Sequence, residues 1–454
     1  MKHDAGAPSC CAFLYQHVDN SQLVAFRILF GLILSVEGFG AILTGWVRTA
    51  FVDPEFTFKI PGFEWLEPLP GQGMYWLYGA LGVLGLCVML GLFFRLALAG
   101  YLVLWSWAYV TQSASYNNHY YLMILLCFLL LLTPANGWAS LDARRRPELA
   151  RHDCPRWCVL IFIVQIAIVY VYAGIVKINP DWLAGRPVRI WFGLRADAPL
   201  IGPLLQEEWF LWIVVYGGIL FDLFIVPLLL WRRTRFFAFL ISIVFHLFNS
   251  ITFRVGVFPY LALGFSVFFF PPQTARRLFF RRRPTAPRTA TSTVSRGEHI
   301  VVAALALYFV LQIGLPLRHW IYPGHVHWNE DGHRMSWHMM SRTKYGSIYF
   351  RLRDPESGRE WSVRPHDRLS GKQMRKFATR PDMIWQFAQR LAHESHAAGI
   401  DRVEIRATGK VSLNGRKPQP FVDPDVDLAS TAWSYFGPTE WILPLADPGD
   451  DRAP

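Results

Sequence analysis

The sequence predicts a polytopic α-helical membrane domain of about nine transmembrane helices, followed by a small exported β-rich α+β domain. Three observations carry that expectation. Apolar runs of about 17–24 residues gather before residue 318, and such runs cross a hydrocarbon core of about 30 Å. Beyond residue 318 the chain turns mixed and polar, with two-residue alternation. The densest arginine clusters fall in alternate loops between the runs. The division is placed at 317/318, giving a membrane domain over 1–317 and an extracytoplasmic domain over 318–454.

The expected spans lie near 20–45, 73–94, 96–114, 119–135, 158–178, 208–231, 236–253, 255–272 and 299–317. Only the polar patch "QSASYNNH" separates the third from the fourth, and "SITFRVG" nearly fuses the seventh with the eighth. Either pair is a place for a re-entrant or broken helix, which a membrane tolerates only where protein or water surrounds the backbone.

A net charge of +12 reads as an orientation signal and not as a nucleic-acid footprint. "ARRRPELARHDCPR" supplies five arginines between spans four and five, "RRTR" three between six and seven, and "ARRLFFRRRPTAPRTATSTVSR" seven between eight and nine. With alternating spans these loops share one side, which the positive-inside rule makes cytoplasmic. The N-terminus is then inside, the tail outside, and the first span acts as its own uncleaved targeting signal. The partner implied by these features is the lipid bilayer.

The tail reads as antiparallel strands in "GSIYFRLRD", "REWSVRP" and "DRVEIRATGKVSLNG". "RPDMIWQFAQRLAHESHAAG" sets Met383, Ile384, Phe387 and Leu391 on one helical face ending at Gly399. All six cysteines precede residue 159, so no disulfide framework is expected in the tail. No metal is expected either. Cys154 and Cys158 lack two further ligands, and His325, His327, His333 and His338 match no common zinc spacing. "VDPDVD" lacks the glycine and terminal glutamate of a calcium loop.

The polar residues of the apolar segments point to chemistry. "YNNHYYL" puts Asn117, Asn118 and His119 at the outer start of span four. Lys177 closes span five, and "FHLFNS" puts His246 and Asn249 in the outer half of span seven. These segments, distant in sequence, bring ionisable and amide groups to one depth, and such groups usually face a bundle interior or cavity. Lys177 reads as a snorkelling anchor or as an amine covered by the "INPDW" turn; desolvated, it would serve as a general base. Arg27 is expected to snorkel, and Glu37 and Asp222 to be paired or protonated. Trp337, Met339 and Met340 read as core or as the roof of a membrane pocket.

"YNNHYYL", "YVYAGIVKINPDWLAG", "FHLFNS", "SWHMM", "FVDPDVDLASTAWSYF" and "EWILPL" together resemble the vitamin K-dependent γ-glutamyl carboxylases. The membrane half alone is similar to a broader family sharing its HTTM-type module. The resemblance implies a reduced vitamin K hydroquinone (menaquinol or phylloquinol) that is epoxidised with O2. The base so generated deprotonates a protein glutamate, and CO2 captures the carbanion. It assigns Lys177 as the base that deprotonates the hydroquinone and His119, with Asn118, as the group that stabilises its oxygen. It further makes His246, Tyr170, Met339 and Met340 cofactor contacts. Trp337, His333 and Arg254 are the expected substrate contacts, with Arg189 and Arg195 as further arginines near the outer face.

Partners implied are a glutamate-containing protein or peptide and a quinone reductase for recycling. The tail departs from the animal enzymes in lacking a cysteine to join the halves and in its shorter length. The short form looks bacterial, implying the inner membrane, or the endoplasmic reticulum in a eukaryote. Two alternatives stay open: a quinol epoxidase without carboxylation, and a non-enzymatic quinone or lipid binder.

Overall fold

The computed structural model describes residues 10–199, 201–253, 255–281 and 295–446. A short helix α1 (Cys10–Tyr15) leads into β1 (His17–Asp19), which pairs antiparallel with the distant β2 (Asp153–Pro155). Between them run α2 (Ser21–Leu43), α3 (Gly73–Leu90), α4 (Phe94–Val110), α5 (Asn118–Leu131) and the short α6 (Leu141–Arg145). α2 and α3 lie backbone to backbone: a Cβ added at Gly31, Gly38 or Gly85 would strike the facing helix's main chain. Small residues permit this approach where apolar burial alone cannot drive helix pairing in lipid.

After β2 come α7 (Trp157–Val176), the short helices α8 (Pro180–Leu183), α9 (Arg186–Gly193) and α10 (Gly202–Leu205), then α11 (Glu208–Leu230) and α12 (Arg235–Phe253). α13 (Phe258–Phe265), α14 (Pro272–Phe279) and α15 (Arg296–Leu317) complete the helical part. Six helices among the described residues are long and apolar enough to cross a membrane, and the chain is a multi-pass membrane protein. Three further apolar helices fall short, over Phe94–Val110, Asn118–Leu131 and Phe258–Phe268. At 1.5 Å per residue the 14 residues of α5 rise about 21 Å, less than the hydrocarbon core.

The shortening has a local cause. Between α4 and α5 the chain leaves the helix and forms a 3-10 turn over Ser113–Ser115, with Ser113 N–H donating to Phe58 O at 2.5 Å. Between α12 and α13 it turns through Gly256 at φ 65°. These are the two segments where the sequence allowed a broken helix, and both border the cavity described below. Irregular backbone at membrane depth thus occurs where protein and cavity surround it.

Arg27 departs from the snorkelling expectation. It is fully buried and its guanidinium donates to Ala135 O, Trp138 O and Ala139 O at 3.3, 3.3 and 2.5 Å. The two terminal nitrogens are thus matched to a turn rich in free carbonyls without reaching water, while the buried Nε is left without a partner.

The C-terminal part holds a sheet in the order β4-β3-β5-β6, from β3 (Lys344–Arg353), β4 (Glu360–Val363), β5 (Glu404–Leu413) and β6 (Gln419–Pro420). Its helices are α16 (Val326–Asn329), α17 (Gly371–Phe377) and α18 (Pro381–Ala397). Alternation on β3 buries Ile348, Phe350 and Leu352 against the Met383, Ile384, Phe387 and Leu391 face of α18. Phe58, from the connection between α2 and α3, is fully buried in this same core. Beside it, Lys59 N–H donates to Gln386 Oε1 and Gln386 Nε2 to Lys59 O, at 2.8 and 2.9 Å. The helical part therefore reaches into the core of the β-rich part.

Candidate active site

A cavity of about 780 Å³ lies at the junction of the two parts, walled by residues from both. Its helical wall begins with Lys177, the residue that caps α7. The Nζ of Lys177 donates to Asp222 Oδ2 at 2.6 Å and to Ala173 O at 3.0 Å, and both charged residues are buried. Asn179 accepts from Trp182 N–H at 3.0 Å and so starts α8. That turn swings the buried Trp182 ring over the amine, 5.4 Å from Nζ. The amine is thus covered by the turn and is not a snorkelling anchor. The lysine that closes this apolar run is one half of a buried ion pair with α11.

One helical face up from Lys177, Tyr170 lines the cavity. Its hydroxyl lies 2.8 Å from His246 Nε2 on α12, and both residues are buried. His246 stands behind Tyr170, boxed by Phe221, Phe245 and Phe258, with its Nδ1 unpartnered. Tyr170 forms part of the cavity wall and His246 does not, so His246 reaches the cavity through the tyrosine. His119 and Asn118 open α5 on the opposite wall. Asn117 forms the cap there, accepting from Tyr120 N–H at 2.8 Å. Asn118 accepts from Tyr116 Oη at 3.2 Å and donates to His338 O at 3.3 Å, holding the C-terminal part against the membrane part.

The roof comes from residues 330–346. Met339, Met340, His333 and His338 all line the cavity. Glu330, Met335, Trp337 and Met340 take left-handed backbone, with φ of 68°, 57°, 57° and 48°. Such conformations cost non-glycine residues about 1–2 kcal/mol each and gather at functional sites. Trp337 corrects its expected role as a substrate contact: it is fully buried beneath the roof, 5.2 Å from the Tyr121 ring, and off the cavity wall. Its left-handed backbone turns the indole inward while His338 and Met339 face the cavity. Arg254 lies outside the described residues. Arg189 is exposed and paired with Glu208, and neither it nor Arg195 lines the cavity.

The far end of the cavity is basic, which the sequence did not reveal. Arg342, Lys344, Arg375, Lys376 and Arg380 line it, with Glu330 as the one carboxylate among them. Arg342 donates to both Glu330 oxygens at 2.5 Å. Burial alone would raise the Glu330 carboxyl, but Arg342, Lys344 and Arg380 outweigh it and hold the group down at about 2. Burial lowers Lys344 to about 7, although its Nζ donates to Trp328 O and Thr379 O at 2.6 and 2.7 Å. Burial likewise holds His338 down to about 3, with His319 and Arg342 adding to it. Among the described residues no group of three or more His, Cys, Asp or Glu is placed to hold a metal.

Two family models match the chain. The HTTM domain covers residues 15–273, and the vitamin K-dependent gamma-carboxylase lumenal domain covers 297–448. No solved structure matches. The two domains occur in series over nearly all of the described chain, and the cavity lies where they meet. The chain belongs to the vitamin K-dependent gamma-carboxylase family.

Proposed function

We propose that the protein carboxylates glutamyl side chains at the expense of a reduced vitamin K, with O2 and CO2 as co-substrates. The observation that carries this reading is one continuous cavity with an amine–carboxylate pair at its membrane end and a basic cluster at its other end. The residues present suit a hydroquinone. Phe245, Phe253, Phe258 and Trp191 supply flat apolar walls, and His338 keeps an unpartnered buried Nε2. Lys177 has a third N–H position beyond those given to Ala173 and Asp222. When bound, the hydroquinone supplies, with O2, the base that removes a glutamyl γ-proton, and leaves as its epoxide.

Lys177 accepts the hydroxyl proton at Nζ. His119 and Asn118 hold that ring oxygen, and Tyr170, oriented by His246, faces the ring from the opposite helix. Met339 and Met340 close the roof over it. Arg342, Lys344 and Arg380, with His333 beside them, hold the glutamyl carboxylate, as charge-assisted hydrogen bonds do at buried sites. The proposed orientation puts the N-terminus on the cytoplasmic side and the C-terminal domain outside, as the positive-inside rule reads the arginine-rich loops. A quinone reductase would return the epoxide to the pool.

The test supplies purified protein with reduced vitamin K, O2, labelled bicarbonate and a glutamate-rich peptide. Epoxide together with labelled peptide is the expected result. Epoxide without label in the peptide would reduce the activity to quinol epoxidation, and neither product would leave a quinone-binding protein.

A further inference from the structure

We infer that Asp222 is the final acceptor of the hydroquinone proton, acting through Lys177, so that the base of this site is the pair and not the lysine alone. The inference rests on the functional reading above. Asp222 Oδ2 and Lys177 Nζ are 2.6 Å apart, and both side chains are more than nine-tenths buried. An ammonium held by a buried carboxylate has no free lone pair, so in the ion-paired form Lys177 must first pass a proton to Asp222 before its Nζ can accept one. Burial of an isolated ammonium or carboxylate is costly, and the pair removes that cost by being neutral overall.

The proton balance follows from the geometry. The ammonium gives the proton it shares with Oδ2 to Asp222 and becomes an amine. That amine takes the proton of the hydroquinone hydroxyl at its cavity-facing position as the O–H bond breaks. Nothing is oxidised or reduced in this step. The pair begins as ammonium and carboxylate and ends as ammonium and carboxylic acid, with one net positive charge left beside the oxygen that lost its proton. An ammonium without a carboxylate partner would first have to release its proton to water, from which Trp182 and the α8 turn shield it.

Tyr170 on α7 and His119 on α5 are the other titratable groups that these helices bring to the cavity wall, and His246 on α12 backs Tyr170. Tyr170 and His246 are committed to each other at 2.8 Å. Asp181, on the neighbouring α8, is turned away to Asn414 and Arg416. Asp222 is therefore the one carboxylate among the described residues in hydrogen-bond contact with Lys177.

Two measurements test the pair, one of them independent of turnover. Infrared difference spectra of the wild-type protein, taken on anaerobic hydroquinone binding, should gain a carboxylic-acid carbonyl band that shifts with 13C-labelled aspartate. Absence of that band in protein that binds the hydroquinone overturns the inference, even if no Asp222 variant folds. In Asp222→Asn, epoxide formation at neutral pH should fall about hundredfold, the scale of a lost general base, and recover as pH rises, with hydroquinone affinity retained. Asp222→Glu should restore the wild-type pH profile in part. A variant that keeps the wild-type rate, or loses it equally at every pH, overturns the inference. Wild-type protein that forms no epoxide overturns the functional reading instead.

Discussion

Asp181 accepts hydrogen bonds from Asn414 Nδ2 at 2.9 Å and from Arg416 Nη2 at 2.8 Å. The turn that covers Lys177 is thereby tied to the end of β5 in the C-terminal part. The two parts meet again where Arg334 and Ser113 share Asp382 Oδ2 at 2.5 and 3.0 Å. Cover and roof are thus held by polar contacts that each need both domains. Arg416→Ala leaves the buried Asp181 with Asn414 and the longer 3.4 Å contact to Arg186. Losing a hydrogen bond to a charged group costs about 1.5–3 kcal/mol. A lower thermal midpoint and faster proteolysis at the junction in detergent are the expected outcome; an unchanged midpoint would show that the tie is idle.

Lys177→Ala removes the proton-accepting amine and strands Asp222. Breaking one side of a buried pair costs about 3–5 kcal/mol, which a thermal melt of the variant reads. Epoxide formation should fall by at least about hundredfold. The deletion also opens space beside Asp222, so a small added amine should restore part of the rate. Full activity without the amine would remove Lys177 from the reaction.

Gly256 combines φ 65° with proximity to a site residue: a Cβ there would stand 3.2 Å from His119 Nε2. Gly256→Ala should weaken hydroquinone binding several-fold while the fold persists. Gly256→Asn separates the causes, because asparagine tolerates the left-handed region but carries the same Cβ. Equal impairment of both, measured as hydroquinone affinity, identifies displacement of His119; a rescue by asparagine identifies backbone strain.

Much of this arrangement is legible in sequence because apolar length and arginine position report on the bilayer directly. The spans near 20–45, 158–178 and 208–231 correspond to α2, α7 and α11 within a few residues. The strands and the amphipathic α18 likewise follow from period-two and period-3.6 patterns. Lys177 and His119 stand out as polar groups at the ends of apolar runs. What sequence does not carry is partnership across helices. Asp222 sits 45 residues from Lys177, and no local pattern announces their meeting. Arg27 and Trp337 depart from expectation for a related reason: their surroundings are set by a distant turn and by a left-handed backbone. The basic end is similarly assembled from β3 and the α17 region, whose charges look like ordinary surface residues when read one at a time.

That basic end makes the pH dependence of substrate binding specific. Lys344 is lowered from 10.5 to about 7 by burial, so its ammonium is the disfavoured form in the folded protein. Its contribution to stability is therefore present above 10.5 and is lost as pH falls through about 7. Glu330, held at about 2 against 4.5, stabilises the fold above 4.5, and that contribution is lost as pH falls toward 2. Between these limits Glu330 remains ionised, and Lys344 changes together with Lys376, which burial lowers to about 8. A glutamyl carboxylate binds the ammonium form better, so the KM for a glutamyl peptide should rise with pH above about 7, while kcat for epoxide formation is less affected. Lys344→Met should raise the KM at pH 6 by about tenfold, the scale of one charge-assisted hydrogen bond, and flatten its pH dependence. A KM that rises equally in wild type and variant would move the titration to another group and take Lys344 out of substrate binding.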